Sequence, residues 1–259
     1  IMAVRYDSGM AGGFAFPINT PQRQFQIFED FVGAQNFDTD ETVTLTLDSG
    51  TVAKDVTVHG GAVLMAAGDA TESAGPQMQF NDGIILDEAG DLFFEARVRF
   101  ASTAGTSNFT DEMFIGLAAV DTTLLENSGD KLSDVALLGF SSAPTDGGEI
   151  TPSAGHLSLI GQNAASATAS GSSATDVKID TAANSGVGVD DFVRLGIVVR
   201  NGEAQAFVNG EKTGAKISSL PTSGVIVPSF VCQSGAASTV AKVLIDYFLV
   251  SCGRSSTAL

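Results

Sequence analysis

Residues 192–208, FVRLGIVVRNGEAQAFV, decide the fold. Asn201-Gly202 separates two strand-like runs, and Asn-Gly suits a two-residue type I′ hairpin turn because both central positions need positive φ. Such a turn sets Arg200 opposite Glu203, Val198 opposite Gln205 and Leu195 opposite Val208. One face of the ribbon then carries Val193, Leu195, Ile197, Val199, Ala204, Ala206 and Val208, all apolar. The other carries Arg194, Arg200, Glu203, Gln205 and Asn209. A slip of one residue would turn the whole apolar set toward water, so turn chemistry and burial agree on one register.

The pattern extends outward on both sides. Residues 92–100 (LFFEARVRF) place Leu92, Phe94, Ala96, Val98 and Phe100 on one face, with Phe93, Glu95, Arg97 and Arg99 on the other. A helix would mix these sets, and a strand separates them. Residues 42–48 (TVTLTLD) alternate in the same way. Further strands are expected at 113–120, 135–141, 156–161, 176–180, 225–233 and 242–250, and many short strands with turns between them indicate a sandwich. Helix is nearly absent, with a short turn at 122–127 as the main exception. Residues 163–175 (NAASATASGSSAT) are low in complexity and are expected to form a mobile loop. Three zones follow: an extended N-terminal arm at 1–26, a jelly-roll sandwich at 27–252 and a flexible tail at 253–259. The arm holds Phe14, Phe16, Ile18 and Phe25 among Gly and Pro without a period, so these residues are candidates for packing on another subunit.

Composition narrows the function. The 259 residues hold 13 Lys+Arg against 30 Asp+Glu, a net charge of −17. That field repels phosphate backbones and anionic membranes, so neither nucleic acid nor membrane is an expected partner. No apolar run approaches the ~18 residues of a membrane helix. Residues 1–6 (IMAVRY) lack a secretory apolar core and cleavage site, so no signal peptide is expected. Cys232 and Cys252 have no metal or redox spacing. If 225–233 and 241–251 formed a hairpin, the two would lie roughly 30 Å apart along the ladder. A disulfide needs Cα atoms within about 7 Å, so two thiols are expected.

Residues 191–210 (DFVRLGIVVRNGEAQAFVNG) resemble the late strands of concanavalin-A-like jelly rolls, the superfamily of laminin-G-like modules, legume lectins, pentraxins and family-16 glycoside hydrolases. The segments FFEARVRF (93–100), FIGL (114–117) and LIDYFLV (244–250) support the likeness. Phe28-Glu29-Asp30-Phe31 and the Gly-Gly-hydrophobic run at 60–64 are also similar to structural proteins of tailed bacteriophages. The resemblance covers roughly residues 27–251. It implies an all-β, two-sheet antiparallel jelly-roll sandwich in which one sheet face forms a ligand groove. Fold alone does not carry a function.

Family-16 hydrolases present their carboxylates from one strand as Glu-x-Asp-x-x-Glu. A retaining enzyme needs the pair about 5–5.5 Å apart. That motif does not occur here, and Glu95 stands alone in its strand, where its same-face neighbours Arg97 and Arg99 suit an ion pair better than a general acid. His59 and His156 belong to no zinc-spaced cluster and no nucleophile triad. Asp38-Thr39-Asp40-Glu41 and Asp146-Gly147-Gly148-Glu149 do not match a calcium loop and read as solvated turns. No catalytic residue, metal or cofactor is expected. A groove would be built from Phe93, Glu95, Arg97, Arg99, Arg194 and Gln205, although the same residues also suit a solvated face with cross-strand ion pairs.

The reading is therefore a non-enzymatic virion structural protein, a capsid decoration or other surface protein of a tailed bacteriophage. It would be made in the host cytoplasm and partnered by capsid or other virion proteins and by further copies of itself. The alternative is a carbohydrate-binding, lectin-like module facing cell-surface glycans, with a glycoside hydrolase behind it.

Overall fold

The computed structural model describes residues 24–31, 43–55, 58, 61–68, 75–86, 91–100, 112–126, 131–143, 152, 156–163, 169–180, 187–188, 192–213, 216–218, 220–221, 224–235 and 240–253. Among these, nineteen strands, β1 to β19 in chain order, form a two-sheet sandwich and a small separate hairpin. Sheet A runs β17 (Glu211–Lys212), β16 (Glu203–Val208), β15 (Phe192–Arg200), β7 (Leu92–Phe100), β19 (Lys242–Gly253), β4 (Ala62–Ala67) and β3 (Gly50–Asp55), with β1 (Gln24–Glu29) also paired to β19. Sheet B runs β14 (Val187–Gly188), β13 (Ala169–Asp180), β12 (His156–Gln162), β11 (Leu137–Ser141), β8 (Glu112–Ala118), β18 (Val225–Gln233), β5 (Gly75–Phe80) and β2 (Val43–Asp48), with β6 (Ile84–Ile85) beside β18. β9 (Leu125–Glu126) and β10 (Lys131–Leu132) make a small separate hairpin. The pairings are antiparallel apart from β13 with β14.

The deciding hairpin takes the expected register: Arg200 opposes Glu203, Val198 opposes Gln205 and Leu195 opposes Val208. Its turn has φ of 54° at Asn201 and 73° at Gly202, as a type I′ turn demands. The inward sets of β7, β15 and β16 meet Met113, Ile115, Leu117, Phe140 and Phe230 of sheet B in one core. Removing each such side chain from water contributes about 1.5–3 kcal/mol.

Four expectations change. Residues 169–175, expected in a mobile loop, are the first half of β13 and pair with β12. Small residues give no periodic signal, yet nothing in them opposes extended pairing beside a strand with free backbone groups. Residues 122–126 of the turn expected at 122–127 are not helical, since Leu125 and Glu126 are paired to Leu132 and Lys131. Strands β18 and β19 do not form a hairpin: β18 lies between β8 and β5 in sheet B, and β19 lies beside β7 in sheet A. Cys232 and Cys252 are nevertheless both buried thiols. Finally, β1 begins at Gln24, inside the expected arm, so Phe25 pairs with Cys252 in sheet A and belongs to the sandwich backbone. Gly253, the first residue of the expected tail, ends β19 opposite Gln24, while Phe14, Phe16, Ile18 and residues 254–259 lie outside the described residues, as do His59 and both acidic turns.

Candidate functional site

The outer face of sheet A brings all six expected groove residues together. Register fixes the rows across it. Gln205, Val198, Phe93 and Ser251 form one, and Gly196, Glu95, Leu249 and Phe28 form the next. Arg194, Arg97 and Tyr247 follow, then Phe192, Arg99 and Leu244. Alternation along β7 and β15 alone predicts this grouping, because the inward faces are wholly apolar.

Side-chain partners differ from the expectation. Glu95 does not pair with Arg97; its Oε1 accepts a hydrogen bond from the Tyr247 hydroxyl at 2.7 Å. Arg97 forms its ion pair with Asp246. The cause is a register shift in β19 between Ile245 and Tyr247, which leaves Asp246 as an extra residue opposite β7. A bulge re-aims side chains in this way. The Arg97 guanidinium also lies 4.4 Å from the centre of the Phe192 ring, and that of Arg99 lies 5.2 Å from it. Such cation–π contacts draw both guanidinium groups toward the Phe192 ring. Arg194 is tied to the end of the hairpin: its N–H donates to Asn209 Oδ1 at 3.0 Å and its Nη2 donates to Asn209 O at 3.1 Å. Gln205 Nε2 donates to the carbonyls of Thr213 and Ala206. Tyr247 packs against Phe28 with ring centres 6.1 Å apart. Burial, and then the charge and hydrogen bond of Glu95, push the Tyr247 phenol well above its ordinary range.

The face is thus a cross-strand network. Phe93, Glu95 and Gln205 are only 8%, 6% and 7% exposed, which leaves Arg97, Arg99 and Arg194 as the accessible polar groups of the six. Tyr247, Asp246, Phe192 and Phe28 are the members that sequence reading missed. A signal for the first two exists: inward apolar positions fall at 243 and 245, then at 248 and 250, a change of phase that marks a bulge.

The outer face of sheet B is occupied by the chain's own excursion between β8 and β11. Leu124, Leu125 and Leu132 of that excursion pack on Phe114, Leu137, Ile160 and Val231 in a second apolar cluster. Two buried glutamines of β5 clasp it. Gln77 Oε1 accepts from Leu124 N–H at 2.9 Å, while Gln79 Oε1 accepts from Asp121 N–H at 3.0 Å and its Nε2 donates to Ala119 O at 3.1 Å. On the other side Gln162 Nε2 donates to Ser133 O at 2.9 Å.

No family model and no curated protein sequence matches the chain. Solved structures do. The carbohydrate recognition domain of Emp47p aligns with a TM-score of 0.57 at 8% identity, covering 90% of this chain and 99% of that one. The metal-free carbohydrate recognition domain of Emp46p gives 0.54 at 7% identity, covering 86% and 94%. The binding domain of botulinum neurotoxin DC, solved with rat synaptotagmin II, gives 0.50 at 9% identity and covers 80% of this chain but 42% of that one. This chain therefore spans less than half the length of that toxin domain. The fold these comparisons share is a lectin-like jelly-roll sandwich.

Proposed function

We propose that the chain is a non-enzymatic protein that acts by surface contact, as a capsid decoration or other surface protein of a tailed bacteriophage. The observation that carries this reading is that, among the described residues, the chain's own excursion covers sheet B while the polar side chains of sheet A pair with one another across the strands. Arg97 pairs with Asp246, Glu95 accepts from the Tyr247 hydroxyl and Gln205 Nε2 donates to Thr213 O, and residues 119–126 and 131–136 lie across sheet B. The chain as a whole is strongly acidic. A net charge of −17 keeps it soluble at the high local density of a particle surface. The segment that carries the phage likeness also anchors the fold: Phe28 packs on Tyr247, and Phe31 on Phe248 with ring centres 6.2 Å apart. The partners are other virion proteins and further copies of this chain. Imaging of purified particles at side-chain resolution tests the reading, and the expected result is this sandwich in regular copies on the exterior. Absence from the particle would overturn it.

A second reading, a carbohydrate-binding module, draws support from the alignment with the Emp47p and Emp46p recognition domains. Its binding surface would be the accessible Arg97, Arg99 and Arg194 beside Phe192. A glycan array run with and without Ca²⁺ separates the two, because a glycan signal that falls at least tenfold in Arg97→Ala, without loss of folding, favours the module. No signal under either condition removes it.

A further inference from the structure

The chain has two Asn-Gly steps, and the β15–β16 hairpin gives them different hydrogen-bond partners. Asn201-Gly202 forms the tip, and Asn209-Gly210 turns the chain at the far end of β16. Both asparagines have positive φ, 54° and 53°. Asn209 is bound to Arg194 at three points. Its Oδ1 accepts from Arg194 N–H at 3.0 Å, its own N–H donates to Arg194 O at 2.8 Å, and its carbonyl accepts from Arg194 Nη2 at 3.1 Å. Asn201, Gly202 and Asn209 are all exposed, and a Cβ built on Gly202 would meet nothing within 4 Å. Asn201 has none of the clamps that hold Asn209.

An asparagine followed by glycine is chemically labile, because the unhindered glycine nitrogen can reach the asparagine carboxamide. Doing so requires the side chain to swing over the next peptide and that peptide to rotate. At Asn209 the swing breaks the bond to Oδ1 and the rotation breaks the bond between its carbonyl and Arg194 Nη2. At Asn201 both motions are open.

We propose that Asn201 is a site of spontaneous covalent modification to aspartate and isoaspartate, and that Arg194 protects Asn209 from the same reaction while the chain is folded. The backbone nitrogen of Gly202 attacks Cγ of Asn201, and the new N–Cγ bond closes a succinimide ring. The Cγ–Nδ2 bond breaks, and Nδ2 leaves as ammonia with the proton from the Gly202 nitrogen. Water then adds at either imide carbonyl and opens the ring, giving aspartate or isoaspartate. One water is consumed, one ammonia is released, and nothing is oxidised or reduced. The product adds a negative charge between Arg200 and Glu203, close to the existing Arg200–Asp91 ion pair of 3.0 Å. Isoaspartate also lengthens the turn backbone by one methylene, which disturbs the two-residue geometry that sets the hairpin register. The modification acts as a covalent record of the chain's age.

The full chain, aged in warm, mildly alkaline buffer either folded or unfolded in urea, tests this. Tryptic cleavage after Arg200 and Lys212 puts both asparagines in one peptide, residues 201–212, whose fragment ions locate the gain of one mass unit. Labelling by an isoaspartyl methyltransferase reports the isoaspartate product separately. In the folded chain Asn201 is expected to convert about tenfold or more faster than Asn209, the scale of two net hydrogen bonds. In urea the two rates should converge, and Asn201→Gln should remove the gain at the tip. Equal rates in the folded chain would overturn the proposal. So would an Asn201 that stays unchanged while the unfolded chain converts, or a rate ratio in urea as large as that in the folded chain.

Discussion

Asp246 is the extra residue of β19, and its insertion reorganises the polar face around it. By pairing with Arg97 it leaves Glu95, 6% exposed, to the hydroxyl of Tyr247. A buried carboxylate that loses its donor keeps the cost of leaving water. Tyr247→Phe is therefore expected to destabilise the chain by about 1.5–3 kcal/mol, the range for hydrogen bonds to charged groups. Urea unfolding at neutral pH measures it. The same pair sets an alkaline limit. The Tyr247 phenol titrates higher in the folded chain than its ordinary value of 10.0. A raised folded-state pKa contributes stability that is complete below the unfolded value and is lost as pH rises toward the folded one. The wild-type chain should therefore lose stability more steeply than Tyr247→Phe once the pH passes about 10. Parallel slopes would show that Tyr247 is not the group responsible.

Among the elements, the pairing of β8 with β11 shows how closely two strands can approach. Gly116 opposes Gly139, and a Cβ on Gly116 would lie 2.4 Å from both Gly139 Cα and Leu138 O. These are backbone atoms, so no side chain can swing aside. Gly116→Ala should cost at least the upper part of the roughly 1–3 kcal/mol typical of overpacking, read as a lower urea midpoint with unchanged slope. The excursion at 119–126 and 131–136 offers a gentler test. Gln79 holds the Asp121 amide and the Ala119 carbonyl together. Gln79→Ala should speed hydrogen exchange at the Asp121 amide by about tenfold or more, while the amides of β7 and β15 keep their protection. Uniform acceleration would mean that the excursion and the sandwich open as one unit.

For the whole molecule, a net charge of −17 sets a self-repulsion that every conformation feels and the compact one feels most. Screening relieves it, so the melting temperature should rise between low and physiological salt. A fall would show that the ion pairs of Arg97, Arg200 and Lys216 outweigh the general repulsion. At this scale sequence reading was uneven. The β15–β16 hairpin, β7 and β18 were legible to their register or their ends, because long alternating runs and an Asn-Gly turn leave few alternatives. β3 and β5 gave no such signal: Gly50–Asp55 is edge strand with half-exposed residues, and Gly75–Phe80 carries glutamines on a face that is buried only because the excursion covers it.

Local chemistry therefore determined the all-β architecture, the inward and outward faces of sheet A, and the grouping of Phe93, Glu95, Arg97, Arg99, Arg194 and Gln205 on one of them. Each follows from period-two alternation and one turn type, which act over a few residues. Tertiary structure alone decided what those side chains bind. The Glu95–Tyr247 and Arg97–Asp246 partners lie 152 and 149 residues apart and meet only because β19 enters sheet A beside β7 with one residue to spare. The same holds for β18 and β19, neighbours in sequence that enter opposite sheets: β18 is flanked by β8 and β5, and β19 by β7 and by β4 and β1. Which strands lie side by side depends on packing the whole core at once, and no local pattern encodes it.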